Sequence, residues 1–287
     1  MIDLEGPDDH VLLAESPALL GHLPAGAFQL VYLDPPFNTG RVRERRALET
    51  RRADRGDRVG FGGHAYTTRE LGRRSYADSY EDYLAFLGPC LEEAHRLLSR
   101  DGTLYLHLDY REAHYCKVAL DGIFGRGNFL NEIVWAYDYG GRPRNRWPAK
   151  HDTILVYVKD VRAYRFDREA VERIPYMAPG LVPPEKAARG KLPTDVWWHT
   201  IVPTNGREKT GYPTQKPEGI LRRIVQASSA PGSWVLDFFA GSGTTGAVAR
   251  AHGRRFVLAD RSEQALDVIR SRLGDRHIRY SRFPPLP

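Results

Sequence analysis

A glycine turn between two short apolar runs does most to limit what this chain can become. Trp234 to Asp237 reads as a buried strand. Gly241-Ser242-Gly243-Thr244-Thr245-Gly246 reads as a tight turn that opens a helix at Thr244, and Phe256 to Ala259 as the next strand. A strand, a crossover helix and a second strand of this kind pack as a right-handed parallel βαβ unit. The same alternation runs through the first half. Val11 to Leu13, Leu30 to Leu33 and Thr103 to Leu108 are strand runs, with a short helix over Leu19 to Leu23 and amphipathic helices over Ser79 to Leu98 and Glu112 to Phe124. Asn131 to Tyr137 and Thr153 to Val158 add strands, and Leu266 to Leu273 a last helix. Ser79 is the expected N-cap of the long helix, and Gly88-Pro89 is expected to kink or split it. The expectation is an α/β chain with a doubly wound, mainly parallel sheet of about seven strands.

The turn matches the G-x-G-x-x-G pattern. Gly241 and Gly243 let the backbone approach a ligand closely, and Asp260 falls at the end of the following strand, where an acid binds a ribose. On these residues alone a nicotinamide dinucleotide fits as well as S-adenosylmethionine.

The second informative run is Asp34-Pro35-Pro36-Phe37, directly after Leu30-Val31-Tyr32-Leu33. An aromatic exocyclic amine is a poor nucleophile because its lone pair is delocalised into the ring. The run resembles the catalytic tetrapeptide of amino-methyltransferases, and the resemblance implies two acceptors aimed at the N–H bonds of such an amine to return that pair to nitrogen, a carboxylate from Asp34 and a main-chain carbonyl from Pro35. The prolines hold the backbone so that the acceptors converge, and Phe37 offers a flat face for an extruded base.

Charge is concentrated rather than spread. Among the 287 residues the net charge is +6, and residues 41–74 hold eleven arginines, no lysine and five acids, which accounts for the whole excess. Such a local basic run points to a polyanionic partner. With little apolar periodicity and with Gly60, Gly62 and Gly63, residues 41–75 are expected to form a mobile basic loop. Tyr137 to Thr210 breaks the strand–helix alternation and is rich in Gly, Pro, Arg and Trp, so it reads as an inserted module outside the core. Its Arg142, Arg144, Arg146, Trp147 and Lys150 are candidates for contacts to phosphates or guanine edges. Trp197 and Trp198 are read as core rather than stacking residues.

The two cysteines, Cys90 and Cys116, argue against a disulfide framework and fit a reducing, cytoplasmic compartment. The N-terminus shows no secretory signal, no apolar run approaches the ~18 residues of a membrane span, and no His/Cys spacing suggests a metal. Pro89-Cys90 is the pair a cytosine-C5 methyltransferase would use, but it lies inside an amphipathic helix, away from any strand end, so Cys90 is expected to be packing.

These motifs carry a resemblance. Asp237-Phe238-Phe239-Ala240-Gly241-Ser242-Gly243 resembles the F-x-G-x-G cofactor loop of DNA amino-methyltransferases, and Asp34-Pro35-Pro36-Phe37 resembles their catalytic tetrapeptide. Tyr212-Pro213-Thr214-Gln215-Lys216-Pro217 is similar to the segment that enters the helix before the cofactor strand. Leu12 to Pro24, Asn128 to Trp135 and Lys150 to Tyr157 are similar to further family segments. Catalytic motif first, recognition region next and cofactor motif last is the circularly permuted order of the β class. The resemblance implies a Rossmann-like methyltransferase fold in which residues 1–136 are the catalytic part, 137–210 a target-recognition region and 211–287 the cofactor-binding part of the same domain. It implies S-adenosylmethionine as cofactor, catalysis by Asp34, Pro35, Pro36 and Phe37, and cofactor contacts from Glu15, Asp34, Thr214, Lys216, Asp237, Phe239, Gly241, Gly243, Thr244, Thr245 and Asp260. Asp260 stands where Glu is more usual, and Glu15 where Asp is.

Arg41, Arg43, Arg45 and Arg46 join the recognition region as expected DNA contacts. Double-stranded DNA is the expected partner, together with a second copy of the chain and a cognate restriction endonuclease of a restriction–modification system. Adenine N6 and cytosine N4 stand about even as targets: Asp in the tetrapeptide leans to the first, and the Arg- and Gly-heavy composition of a GC-rich genome leans to the second. A nicotinamide-dependent oxidoreductase would explain the glycine turn but not residues 34–37, and a noncatalytic DNA-binding protein would explain the basic run but neither ligand motif.

Overall fold

The computed structural model describes residues 2–38, 41–52, 58–59, 65–78, 80–203 and 205–283, and between 41 and 78 the backbone alone. In chain order the elements are β1 (Asp9–Ala14), α1 (Ser16–Leu20), β2 (Phe28–Leu33), β3 (Arg41–Arg52), β4 (Arg58–Val59), β5 (Ala65–Asp78), α2 (Tyr83–Leu97) and β6 (Leu98–Leu108). There follow α3 (Ala113–Phe124), β7 (Phe129–Ala136), β8 (His151–Val158), α4 (Pro184–Arg189), β9 (Val196–Trp198), α5 (Glu218–Ser228), β10 (Trp234–Asp237), α6 (Thr244–Ala251), β11 (Arg255–Asp260), α7 (Glu263–Leu273) and β12 (Ile278–Phe283). They divide into two units, one made of Met1–Pro35 with Asp82–Pro287, the other of Pro36–Glu81.

Among the described residues of the larger unit, nine strands form one sheet in the order β12-β1-β11-β10-β2-β6-β8-β7-β9. From β12 to β6 every pairing is parallel. Then β8 runs antiparallel to both β6 and β7, and β9 is parallel to β7. The seven strand runs legible in the sequence are all present. The two added strands, β9 and β12, are the sheet's edges. Their burial alternates or fades outward, so neither shows the continuous apolar run that marks an interior parallel strand. In β2, Leu30 and Tyr32 join a core cluster with α5, α6 and α7, while Val31 and Leu33 are equally buried and alternate to the opposite face. Both faces of the sheet are therefore covered, as a doubly wound fold requires.

Three expectations are corrected. The described part of residues 41–75 is not a loop in the backbone: β3 and β5 form a long antiparallel ladder from Arg41 opposite Asp78 to Arg52 opposite Tyr66, with β4 on β5. A ladder satisfies the main chain whether or not its side chains are apolar, so hydrophobic periodicity is silent about it. Within the same unit the Tyr80 N–H donates to Asn38 Oδ1 at 2.8 Å. Second, residues 137–210 are not wholly outside the core. β8 is an interior strand with seven of its eight residues buried, and it belongs to the main sheet. Third, α2 starts at Tyr83, and its cap is Asp82, whose carboxylate accepts from the Ala85 N–H at 2.9 Å. The expected cap, Ser79, lies outside the described residues. Pro89 does not split α2. The helix buries Tyr83, Leu87, Cys90, Leu91, Ala94 and Leu97 along one stripe, and roughly 1.5–3 kcal/mol for each large apolar side chain outweighs the ~3 kcal/mol an interior proline costs.

The topology places the site. From β10 the chain crosses to β11 on one side, and from β2 it goes on to β6 on the other, while β10 and β2 are themselves neighbours. The carboxyl ends of β10 and β2 are thus a topological switch point, where open α/β sheets leave a crevice. Asp237 ends β10, and Asp34 follows β2 directly.

Candidate active site

The turn after β10 is built from hydrogen bonds within the protein. Asp237 is 2% exposed and accepts from the Phe239 N–H at 3.0 Å and the Thr245 hydroxyl at 2.6 Å. Burial pushes its carboxyl up to about 7; those two hydrogen bonds oppose the rise, and the charges of Asp34 and Asp260 add to it. Asp260, at the end of β11, accepts from the Gly241 N–H and the Ser262 N–H, each at 2.9 Å. The Ala240 N–H donates to the Ala259 carbonyl at 3.0 Å. The turn is therefore fastened to the strand beside it. Gly243 caps α6 with φ of +70°, and a Cβ there would meet Ile269 Cγ1 at 2.8 Å, so only glycine fits. A Cβ on Gly241, at φ of +49°, would come 3.1 Å from the Tyr212 ring. Phe239 is half-buried, with its ring centroid 6.1 Å from Phe86.

Thr244 opens α6. Its hydroxyl donates to the Lys216 carbonyl at 3.1 Å and accepts from Arg272 Nη1 at 2.9 Å. Arg272 Nη2 also reaches Glu218 Oε1 at 2.6 Å, joining α7, α6 and α5. The sequence reading missed Arg272, and no pattern in α7 separates it from a solvated arginine.

Lys216 carries the link across the site. Its Nζ donates to Asp34 Oδ2 at 2.5 Å, in a pair whose side chains are only 11% and 15% exposed. Among the described residues, Asp34 Oδ1 is buried and has no hydrogen-bond partner. Leaving such a buried acceptor unmet costs about 1–3 kcal/mol, so Oδ1 marks where a donor is wanted. Pro35 is buried beside it. Pro36 and Phe37 open the second unit.

The other candidates scatter. Glu15 lies beyond the end of β1, exposed and without a side-chain capping bond. Thr214 is exposed, whereas its neighbour Gln215 is 8% exposed and accepts from the Thr210 N–H at 2.8 Å while donating to the Glu208 carbonyl at 2.5 Å. Arg144, Arg146 and Trp147 are exposed, Trp147 by 94%. Arg142 pairs with Asp138 at 2.9 Å in the open. Lys150 donates to the carbonyls of Tyr139 at 2.7 Å and Gly140 at 2.8 Å, so it braces its own segment. Trp197 is core, as expected. Trp198 is not: at 75% exposed it points away from its neighbour, as alternation along β9 demands. Arg41, Arg43, Arg45 and Arg46 lie on β3, where the backbone alone is described.

Sequence reasoning also missed a buried polar chain. Tyr32 OH lies 2.8 Å from His107 Nδ1, His107 Nε2 lies 3.1 Å from Asp152 Oδ2, and Tyr137 OH donates to Asp152 Oδ1 at 2.9 Å. These four residues come from or border β2, β6, β8 and β7, consecutive strands of the sheet. Burial alone would raise the Asp152 carboxyl, but the His107 contact, the Lys216 charge and the Tyr137 hydroxyl together hold it below its usual range. The only signal was a histidine and an aspartate inside apolar strand runs.

Cys90 sits in the buried stripe of α2 with its thiol pushed up to about 11 by burial, the opposite of an activated nucleophile. That removes the Pro-Cys alternative. What remains is a glycine turn fastened to the acid that ends the adjacent strand, and at the neighbouring strand end a buried carboxylate oxygen with no hydrogen-bond partner among the described residues. The N6/N4 DNA methylase family model matches residues 28–271. The chain belongs to that family. It is 31% identical to the DNA adenine methyltransferase YhdJ of Escherichia coli K12 over 86% of this chain and 76% of YhdJ. It is 27% identical to the type II methyltransferase M.HpaI of Haemophilus parainfluenzae over 93% and 74% of the two chains. Among solved structures it is similar to the cytosine-N4-specific PvuII DNA methyltransferase, with a TM-score of 0.63 at 16% identity over 94% and 88% of the chains. The nicotinamide reading of the glycine turn is set aside with it.

As a member of the family this DNA methylase takes its methyl group from S-adenosylmethionine. The residues present fit that group. Asp260, the acid that ends β11, is partly exposed beside the turn, the αL glycines clear the backbone, and Phe239 offers a half-buried aromatic face. Among the described residues no helix is long and apolar enough to cross a membrane.

Proposed function

We propose that this methylase acts on double-stranded DNA and methylates N6 of adenine within a specific sequence, with the target base extruded from the helix. S-adenosylmethionine supplies a methyl carbon bonded to a sulfonium. The chain's own residues present the acceptor. Asp34 Oδ1 and the Pro35 carbonyl accept the two N–H bonds of the exocyclic amine and draw its lone pair out of the ring. The resemblance of the tetrapeptide assigns the stacking face for the base to Phe37. Little acid–base chemistry is asked of the protein; its work is alignment. The observation that carries the reading is the buried Oδ1 of Asp34, which has no hydrogen-bond partner among the described residues and lies beside the glycine cradle. Adenine is favoured by the aspartate in the tetrapeptide and by the likeness to an adenine methyltransferase.

Arg142, Arg144, Arg146 and Trp147 meet the DNA, and the neighbouring Lys150 keeps their segment in shape. Similarity to a type II methyltransferase supports a role in restriction–modification, marking sites that a companion endonuclease would cut. The test is methylation of genomic DNA followed by nucleoside mass spectrometry. N6-methyladenine is expected; N4-methylcytosine would correct the base, and 5-methylcytosine or no product would overturn the mechanism.

A further inference from the structure

Lys216 stands among the expected cofactor contacts, but its geometry gives it another task. Its ammonium is within 2.5 Å of Asp34 Oδ2, in a pair that is nearly closed to solvent. Its main-chain carbonyl takes the hydroxyl of Thr244, the first residue of α6, and Arg272 holds that hydroxyl from the other side. One residue is thus tied by its backbone to the start of the cofactor helix and by its side chain to the catalytic carboxylate. The other carboxylate oxygen, Oδ1, is buried and unpartnered among the described residues.

We propose that Lys216 is a positioning residue that acts through Asp34: it occupies Oδ2, fixes the plane of the carboxylate, and leaves Oδ1 as the single acceptor offered to the target amine. This rests on the reading of Asp34 as that acceptor. A carboxylate without a partner can turn about its Cβ–Cγ bond and present either oxygen in a range of directions. A charge-assisted hydrogen bond to one oxygen removes that freedom and partly offsets the cost of burying the charge. With the carboxylate fixed, the amine lone pair forms the N–C bond, the electron pair of the broken S–C bond stays with sulfur, and the surplus N–H proton leaves to water. Because the Lys216 backbone is set by Thr244, Asp34 is aligned with the same turn that holds the donor.

The experiment separates this from a cofactor contact. Lys216→Met keeps the aliphatic stem and removes the ammonium, and Lys216→Arg keeps a cation. For each, S-adenosylmethionine affinity is measured by calorimetry and methyl transfer by single turnover with donor and DNA saturating. Lys216→Met is expected to slow transfer about a hundredfold, with donor affinity changed by no more than about twofold, and Lys216→Arg to recover about tenfold of the lost rate. In the double variant with Asp34→Asn the rate should fall no further than with Asp34→Asn alone, because both changes remove one interaction. A donor affinity weakened about tenfold with an unchanged saturated rate would make Lys216 a cofactor ligand and overturn the proposal, as would losses that multiply in the double variant. Should Lys216→Met fail to fold, Lys216→Gln is read by the same two measurements. If Asp34→Asn itself keeps the full rate, the reading of Asp34 fails and takes this proposal with it. If Asp34→Asn is inactive and removal of the ammonium costs nothing, this proposal alone fails.

Discussion

The turn after β10 and the segment between β7 and β8 are both loops at strand ends, and they are built in opposite ways. In the first, Asp237, Gly241, Thr244, Thr245 and Asp260 are bonded to one another, to β11 or to α7, and Asp237, Thr244 and Thr245 are buried. In the second, Arg144, Arg146 and Trp147 stand in solvent, and the internal ties are a surface ion pair and the Lys150 brace. The first is a preformed receptacle whose shape is paid for in folding. The second leaves its charges and the Trp147 ring open to solvent. The contrast is the one the proposed function calls for: a small donor needs a fixed cradle, whereas a long polyanion is held by many weak, exposed contacts.

The sharpest way to break this contrast is Asp34→Asn. Methyl transfer, followed with a radiolabelled donor, should fall by about 10³-fold while donor affinity by calorimetry stays within about twofold. Loss of donor binding as well would mean that the two ends of the site are not separable. Next in size is the triple change Arg142→Ala, Arg144→Ala and Arg146→Ala. DNA affinity should drop about tenfold or more at low salt and its dependence on salt should lose up to about 3 in slope, with donor affinity unmoved. An unchanged slope would remove this segment from the DNA interface.

The smallest effect comes from Asp237, whose carboxyl burial lifts to about 7. The folded chain holds this proton more tightly than the unfolded chain, so the group favours folding most at low pH. That contribution is lost as pH rises from about 4 toward 7 and stays lost above. The thermal midpoint of the natural chain relative to Asp237→Asn should therefore be highest near pH 4 and fall by a few °C toward pH 7. A difference that is flat or rises over that window would place a charged carboxylate at Asp237 throughout.

Much of the main sheet was legible because interior parallel strands are covered on both faces and read as apolar runs, as Leu30–Leu33 of β2 and Trp234–Leu236 of β10 do. The ribbon of β3 and β5 was not, since most of its residues are polar and a ladder is held by main-chain hydrogen bonds that periodicity does not record. Trp197 and Trp198 show the same limit at one edge. Two identical neighbours take opposite faces once β9 pairs with β7, and nothing in the letters says which.

Residues 34–37 and 237–245 carried the resemblance to the methylase family by themselves, because a double-proline turn and a left-handed glycine turn are local demands on residue type. What only the tertiary structure decided is which groups meet across the chain: that β2 and β10 are neighbours at a switch point, that Lys216 closes on Asp34 from 182 positions away, and that Asp152 reaches His107 and Tyr137 beneath them. A short motif carries its own backbone geometry. A partner contributed by another strand or helix depends on packing, which no local spacing encodes.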